Sequence, residues 1–297
     1  MHNKTILGVI LALGAALLNG TVGFLSKGLF LENISPAAVS FYKCLLAFIT
    51  LSCILVFNRK MQGEVKRLVT YIPQIVICSF LGIFVLYYFE TSAYKFDTVP
   101  IVVFILLGSS AVTTFILSTF ILKEKKNLFN YIGLILLIIG LCLMEFSHGL
   151  TIHISTGVLL AAIAGVGYGS FLVLTKKFSL DGGLSLIWYF MLFGVIYLFF
   201  PFYHSGMILP DSQNFLSLMA LAILPTIGGF YCTTKALTLL AANKVQTLEL
   251  TEPLFAMFFA FLLLGEYITG YELIGAFIIL TAIYISEYQP NKQKITI

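Results

Sequence analysis

Ten stretches of about twenty apolar residues follow one another along this chain, at roughly 6–26, 36–57, 71–94, 98–121, 128–146, 155–175, 184–203, 214–237, 244–264 and 270–287. A helix of that length crosses the hydrocarbon layer of a bilayer. The runs are continuously apolar rather than alternating, which selects helices over the strands of a barrel. With 60% hydrophobic and only 10% charged residues, the chain has too little polar surface for a soluble domain. The expected fold is therefore all-α and integral to the membrane, with ten transmembrane helices. The third and fourth stretches are parted only by Lys95-Phe96-Asp97 and the region of Pro100, so a tight turn is expected there. Residues 4–26 resemble a signal peptide in charge and small residues, but the run is too long and is read as a retained first span.

The basic residues set an orientation. With the N-terminus inside, thirteen lysines and arginines fall on inner segments and only Lys27 and Lys95 on outer loops. Lys43 and Lys235 lie within spans. This bias predicts both termini in the cytoplasm, for a multi-pass protein of a bacterial inner membrane.

The chain also repeats itself. Asn19-Gly20 followed by Ser26-Lys27 returns as Tyr168-Gly169 followed by Thr175-Lys176, 149 residues later. Thr91-Ser92-Ala93 is echoed by Thr234-Lys235-Ala236 at an offset of 143, and Glu124 by Glu266 at 142. Residues 1–147 and 148–297 thus read as two related halves. Five spans in each half is an odd number, so the repeats must be inverted, with a site expected where they meet.

These features resemble the drug/metabolite transporter superfamily, in its EamA-like branch. The resemblance rests on the Gly-containing first helix of each half, the Ala236-Leu237 step, and Glu252-Pro253 followed by Gly265-Glu266. The first half departs from the pattern, with Asn19 in place of an aromatic residue, Lys43 where arginine is frequent, and no proline matching Pro253. The resemblance implies ten helices in two inverted five-helix repeats and secondary transport of small polar metabolites. The family's range includes amino acids, nucleotide sugars and organic cations.

Charges inside spans are costly and mark functional candidates. Lys43 and Glu90 fall in the outer parts of the second and third spans, where they either pair structurally or bind substrate. Tyr87, Glu90 and Tyr94 share one helical face. Lys235 and Tyr231 lie in the inner part of the eighth span and Glu249 in the inner part of the ninth, with Glu252 near the middle. Lys235 and Glu249 are expected to form an inner pair, about 20 Å in depth from Glu90 at the rise of a helix, giving outer and inner gates. Pro253 frees the carbonyl of Glu249 and predicts a kink, either cavity-lining or a matter of packing. Asn19 and Tyr168 are candidates from the repeat. Trp188 and Tyr189 are expected as interfacial anchors, with stacking on a substrate the alternative. Gly165-x-x-x-Gly169 predicts close helix packing. Ser109, Ser110 and Thr113 give the fourth span a polar patch for a cavity or for interhelical bonding.

The four histidines, His2, His148, His153 and His204, lie at termini or loops, and neither a metal-protease motif nor a phosphate loop is present. No cofactor, metal or nucleic-acid partner is expected, and the chain is not read as an enzyme or an ATP-driven pump. Its five cysteines form no C-x-x-C pair and read as packing residues. The leading expectation is a secondary transporter of amino acids or related compounds, in contact with membrane lipid, monomeric or homodimeric. Protons are a candidate coupling ion through Glu90 or Glu252. Uptake of a choline-like cation by Tyr87, Tyr88 and Glu90 is the alternative. A non-transporting receptor, scaffold or intramembrane enzyme is the alternative of another class.

Overall fold

The structure is a computed structural model that describes residues 2–145, 155–180, 183–207, 209–265 and 269–287. Its helical segments are α1 (Lys4–Leu31), α2 (Pro36–Phe57), α3 (Arg59–Ala93), α4 (Val99–Ile121), α5 (Leu128–Glu145), α6 (Thr156–Lys177), α7 (Leu184–His204), α8 (Asn214–Leu239), α9 (Ala242–Leu264) and α10 (Gly270–Glu287). Among the described residues, eight of these are long and apolar enough to cross a membrane, and α5 and α10 carry shorter apolar cores at Leu128–Gly140 and Leu273–Ala282. Large apolar side chains such as Phe57, Phe120, Leu216 and Phe277 are exposed around the outside. Bare apolar surface on this scale matches a lipid surround. The protein is a multi-pass membrane protein.

Local chemistry sets the boundaries. Ser35 caps α2, its Oγ accepting from the Ala38 N–H at 3.2 Å, with Pro36 in the first turn where it displaces no intrahelical bond. Ser155 caps α6 in the same way on the Val158 N–H. The Ser155 hydroxyl also donates to Asp97, which ties the tight turn after α3 to the start of α6. Asn58 caps the opening segment of α3, Arg59–Leu68. That segment buries Met61 and Leu68 and carries Arg59, Lys60, Lys66 and Arg67, the pattern of a helix lying at an interface before the chain turns inward.

Inside the bundle α4 packs along α6, α2 along α7, and α5 along α10, while α1 lies against α8 and α9. Small residues permit the closest approaches. A Cβ built on Gly165 would fall 2.1 Å from the Leu106 carbonyl oxygen, and one on Gly169 would fall 2.6 Å from that of Ser110. The polar patch on α4 serves interhelical bonding at Ser110, whose hydroxyl donates to Gln246 Oε1 at 2.8 Å, while Ser109 bonds back to its own helix.

The regular helices are interrupted at four places that matter. α1 stops at Asn19 and restarts at Val22; α9 stops at Glu249 and restarts at Glu252. In each gap a threonine hydroxyl, Thr21 or Thr251, donates to the carbonyl three residues earlier. The kink expected from Pro253 is a two-residue turn at Leu250 and Thr251, and the proline sits in the first turn of the helix that follows, beside Glu252. α3 and α8 each contain a π-helical segment, Phe80–Val85 and Ala222–Gly229, whose first residues are 142 positions apart. Wide turns of this kind occur frequently at functional sites.

Glu124 closes α4 by a different device. Its Oε1 accepts from the Ala242 N–H at 3.0 Å, at the start of α9, and its Oε2 pairs with Lys126 at 3.2 Å. Burial lowers the Lys126 pKa, and Glu124 draws it back up. Glu124→Ala should lower stability by about 1–3 kcal/mol, since it strips partners from an N–H and from a buried ammonium. Unfolding of the purified protein in detergent measures this; an unchanged midpoint would mean that the tie contributes nothing. Glu266, its expected counterpart, lies outside the described residues, as do His148 and His153.

Candidate functional site

The broken helices cross at the centre of the bundle, where Gly20 lies against the backbone of α9 at Ala256. Beside this crossing is a cavity of about 30 Å³, lined by Asn19, Lys43, Tyr87, Glu90, Tyr168 and Glu252 together with Thr226 and a set of apolar side chains. Its volume leaves room for about one water molecule, so the site is narrow.

Lys43, on α2, is almost fully buried. Its Nζ lies 3.9 Å from Glu90 Oε2, donates to Thr91 Oγ1 at 3.3 Å, and sits 4.0 Å over the ring of Tyr87. Tyr94 OH donates to Glu90 Oε1 at 3.3 Å from behind the cavity. Glu252, at the start of the second half of α9, has the Asn19 side chain beside it and lies near enough to Glu90 and Glu249 to feel both charges. Glu249 is fully buried one turn earlier, where Tyr168 OH donates to Oε2 at 2.7 Å and Thr233 Oγ1 to Oε1 at 2.5 Å. Three carboxylates and one ammonium thus form one continuous cluster. Tyr87 OH and Thr226 Oγ1 approach each other across the cavity, yet neither completes a hydrogen bond. Buried polar atoms of this kind are costly unless something satisfies them.

The outer pair of Lys43 and Glu90 is present, but the inner pair expected from the sequence, Lys235 with Glu249, is not found among the described residues. Glu249 bonds to Tyr168 and Thr233, not to Lys235, because the break in α9 turns its carboxylate toward α6 and α8. Lys235 and Tyr231 instead line a second cavity of about 380 Å³ with Asn58, Lys60, Glu64 and Arg67. A third cavity, of about 530 Å³, shares Arg67 and includes Thr70, Tyr71, Lys176 and Ser179. Lys176 Nζ donates to the carbonyls of Leu237 and Leu240, closing the last turn of α8. Both larger cavities lie at the end of the bundle that carries this basic cluster. The neighbours Phe230 and Tyr231 face the central and the second cavity respectively, so α8 forms the partition between them.

Trp188 does not reach the central site. Its Nε1 donates to Ser52 at 2.9 Å, and Tyr189 OH donates to the Val65 carbonyl at 3.1 Å. Both residues therefore tie α7 to α2 and α3 instead of serving only as interfacial anchors. Sequence reasoning missed Thr226, Pro225 and Phe230. The available signal was Pro225 in mid-span, followed by Gly228-Gly229, where a proline in lipid needs a local rearrangement of the backbone. Gly229 leaves room for the Asn19 side chain, whose Oδ1 lies 2.1 Å from where a Cβ would stand.

A bundle of apolar helices, broken at the centre around buried charges, belongs to the class of membrane transport proteins. The model of the EamA-like transporter family matches residues 6–146 and again 155–288, and the chain belongs to that family, within the drug/metabolite transporter superfamily. It is 27% identical over 198 residues to a probable amino-acid metabolite efflux pump of Salmonella typhimurium (strain LT2), covering 62% of this chain and 66% of the relative. It is 26% identical over 274 residues to the uncharacterized inner membrane transporter YhbE of Escherichia coli (strain K12), covering 89% and 83%. A solved crystal structure superimposes with a TM-score of 0.70 at 14% identity, over 94% of this chain and 96% of that one, a likeness of fold.

Proposed function

We propose that the protein is a secondary transporter of small polar metabolites, amino acids or related compounds, working by alternating access in a bacterial cytoplasmic membrane. The observation that carries this reading is the narrow central cavity, in which Lys43 and the carboxylates of Glu90 and Glu252 stand where two broken helices cross. Fixed charges of both signs suit a substrate that carries both. The name of the Salmonella relative points to the same class. Ten spans in two inverted five-helix repeats, residues 1–147 and 148–297, provide the moving parts. The paired π-helical segments of α3 and α8 support that repeat.

In this arrangement both termini are cytoplasmic, and the two basic cavities form a vestibule from which substrate reaches the centre for export. Protons are the candidate coupling ion. The choline-like alternative is weaker, because the Tyr87 ring that would receive a quaternary ammonium already holds Lys43 at 4.0 Å.

The purified protein should show raised thermal stability with amino acids, since a ligand of the folded state stabilises by mass action. Reconstituted in vesicles, it should exchange labelled for unlabelled amino acid. Exchange confined to quaternary amines would transfer the assignment to cations. Absence of saturable exchange with any amino acid, amine or organic acid would remove the transport reading. Orientation is checked separately: a C-terminal alkaline phosphatase fusion should be inactive, and an active one would overturn the topology.

A further inference from the structure

We propose, resting on the amino-acid reading above, that the central site takes an α-amino acid with an aliphatic side chain. Glu252 and Asn19 hold its ammonium, and the hydroxyls of Tyr87 and Thr226 hold its carboxylate.

The assignment begins from charge. Lys43 and Glu90 face each other at 3.9 Å and account for one another. Glu252 is left as the cavity's carboxylate without an opposing cation, supported by a neutral amide from Asn19. It is 5% exposed, and a charged carboxylate there is costly unless a proton or a cation compensates it, a place that a ligand ammonium can fill. An ammonium gives three donors, which suits the carboxylate of Glu252 together with the Asn19 amide oxygen.

The second pole is marked by two unsatisfied hydroxyls. Tyr87 and Thr226 are 4% and 1% exposed, line the same cavity, and have oxygens with no hydrogen-bond partner. Each is a donor free to reach a ligand acceptor. Lys43, directly over the Tyr87 ring, adds a positive charge on that side. Two hydroxyl donors beside an ammonium form a carboxylate pocket, and hydrogen bonds to a charged group are the strong ones.

Apart from Tyr168, whose hydroxyl is held by Glu249, the remaining wall is apolar: Val22, Leu86, Leu106, Leu107, Pro225 and Phe230 line the cavity. None offers a polar group to a substrate side chain. The cavity as it stands is too small for an amino acid, so substrate enters when the helices part; a branched aliphatic side chain then suits this wall, while a charged one would lie unpaired against it.

The test uses the full-length protein with three probes that differ only in their poles: valine, isobutylamine, which lacks the carboxylate, and isovalerate, which lacks the ammonium. Affinity is read by equilibrium binding in detergent. Tyr87→Phe and Thr226→Val should each weaken valine about tenfold and leave isobutylamine unchanged. Thr226→Ser, which keeps the hydroxyl, should restore valine binding and also show that the site still folds. Glu252→Gln should weaken valine and isobutylamine together and spare isovalerate. If the two hydroxyl variants bind valine as the parent does, or lose valine and isobutylamine equally, the carboxylate pocket is wrong. If the parent exchanges other amino acids but not valine, the subsite proposal falls while the transport reading stands. If it exchanges no amino acid at all, both fall.

Discussion

Replacing Lys43 by methionine should lower the stability of the folded protein by about 3–5 kcal/mol, and most of that loss should return in Lys43→Met/Glu90→Gln. Lys43 is 1% exposed, so its ammonium was taken out of water on folding and is held by Glu90, Thr91 and the Tyr87 ring. Without it, Glu90 keeps only the Tyr94 hydroxyl at 3.3 Å among its described hydrogen bonds. A buried carboxylate with one neutral donor is poorly compensated. The glutamine of the double variant carries no charge to compensate, so the penalty disappears even though the pair does too. A double-mutant cycle by reversible unfolding in mixed micelles measures the coupling. A loss under about 1 kcal/mol for Lys43→Met alone would show that the pair is wet, contrary to its burial.

The second large effect should come from a residue with no side chain. Gly165→Val places a branched carbon in α6 where even a Cβ would stand 2.1 Å from the Leu106 carbonyl oxygen and 2.0 Å from Ser109 Oγ. The serine can turn away; the backbone oxygen cannot, so α4 and α6 must separate along their length. The cost should be about 3 kcal/mol or more, because lost van der Waals contact between helices has no hydrophobic compensation in lipid. Gly28→Ala is the control. A Cβ there meets nothing within 4 Å, and exchange of glycine for alanine in a helix is neutral to favourable. Thermal midpoints and the yield of monodisperse protein compare the two. Equal behaviour would mean that α4 and α6 are not in register as described.

The helices and their approximate ends were legible because lipid leaves few choices: a continuous apolar run of about twenty residues must satisfy its own backbone. The Gly165/Gly169 contact was legible for the same reason, since spacing on a helix is fixed. The intramembrane charges were also visible, and of the two readings open for Lys43 and Glu90, pairing or substrate binding, the pair has its geometry at 3.9 Å. What failed was depth reasoning across a broken helix. Treating α9 as straight put Glu249 beside Lys235; the break at Leu250 and Thr251 turns Glu249 toward Tyr168 and joins it to the central cluster. Thr226 stayed hidden because a threonine in an apolar span is ordinarily satisfied by its own helix, as Thr50 is. Only the packed structure shows that Thr226 is not.

The water-sized volume at the centre has an electrical consequence. A bundle whose middle leaves room for about one water molecule leaves little space there for a file of ions. One elementary charge crossing the membrane releases about 2.3 kcal/mol per 100 mV, and a leak of that kind would drain the gradients on which a carrier without its own energy source depends. On the carrier reading proposed above, so narrow a centre makes each passage wait for the helices to move, and the cell keeps its voltage.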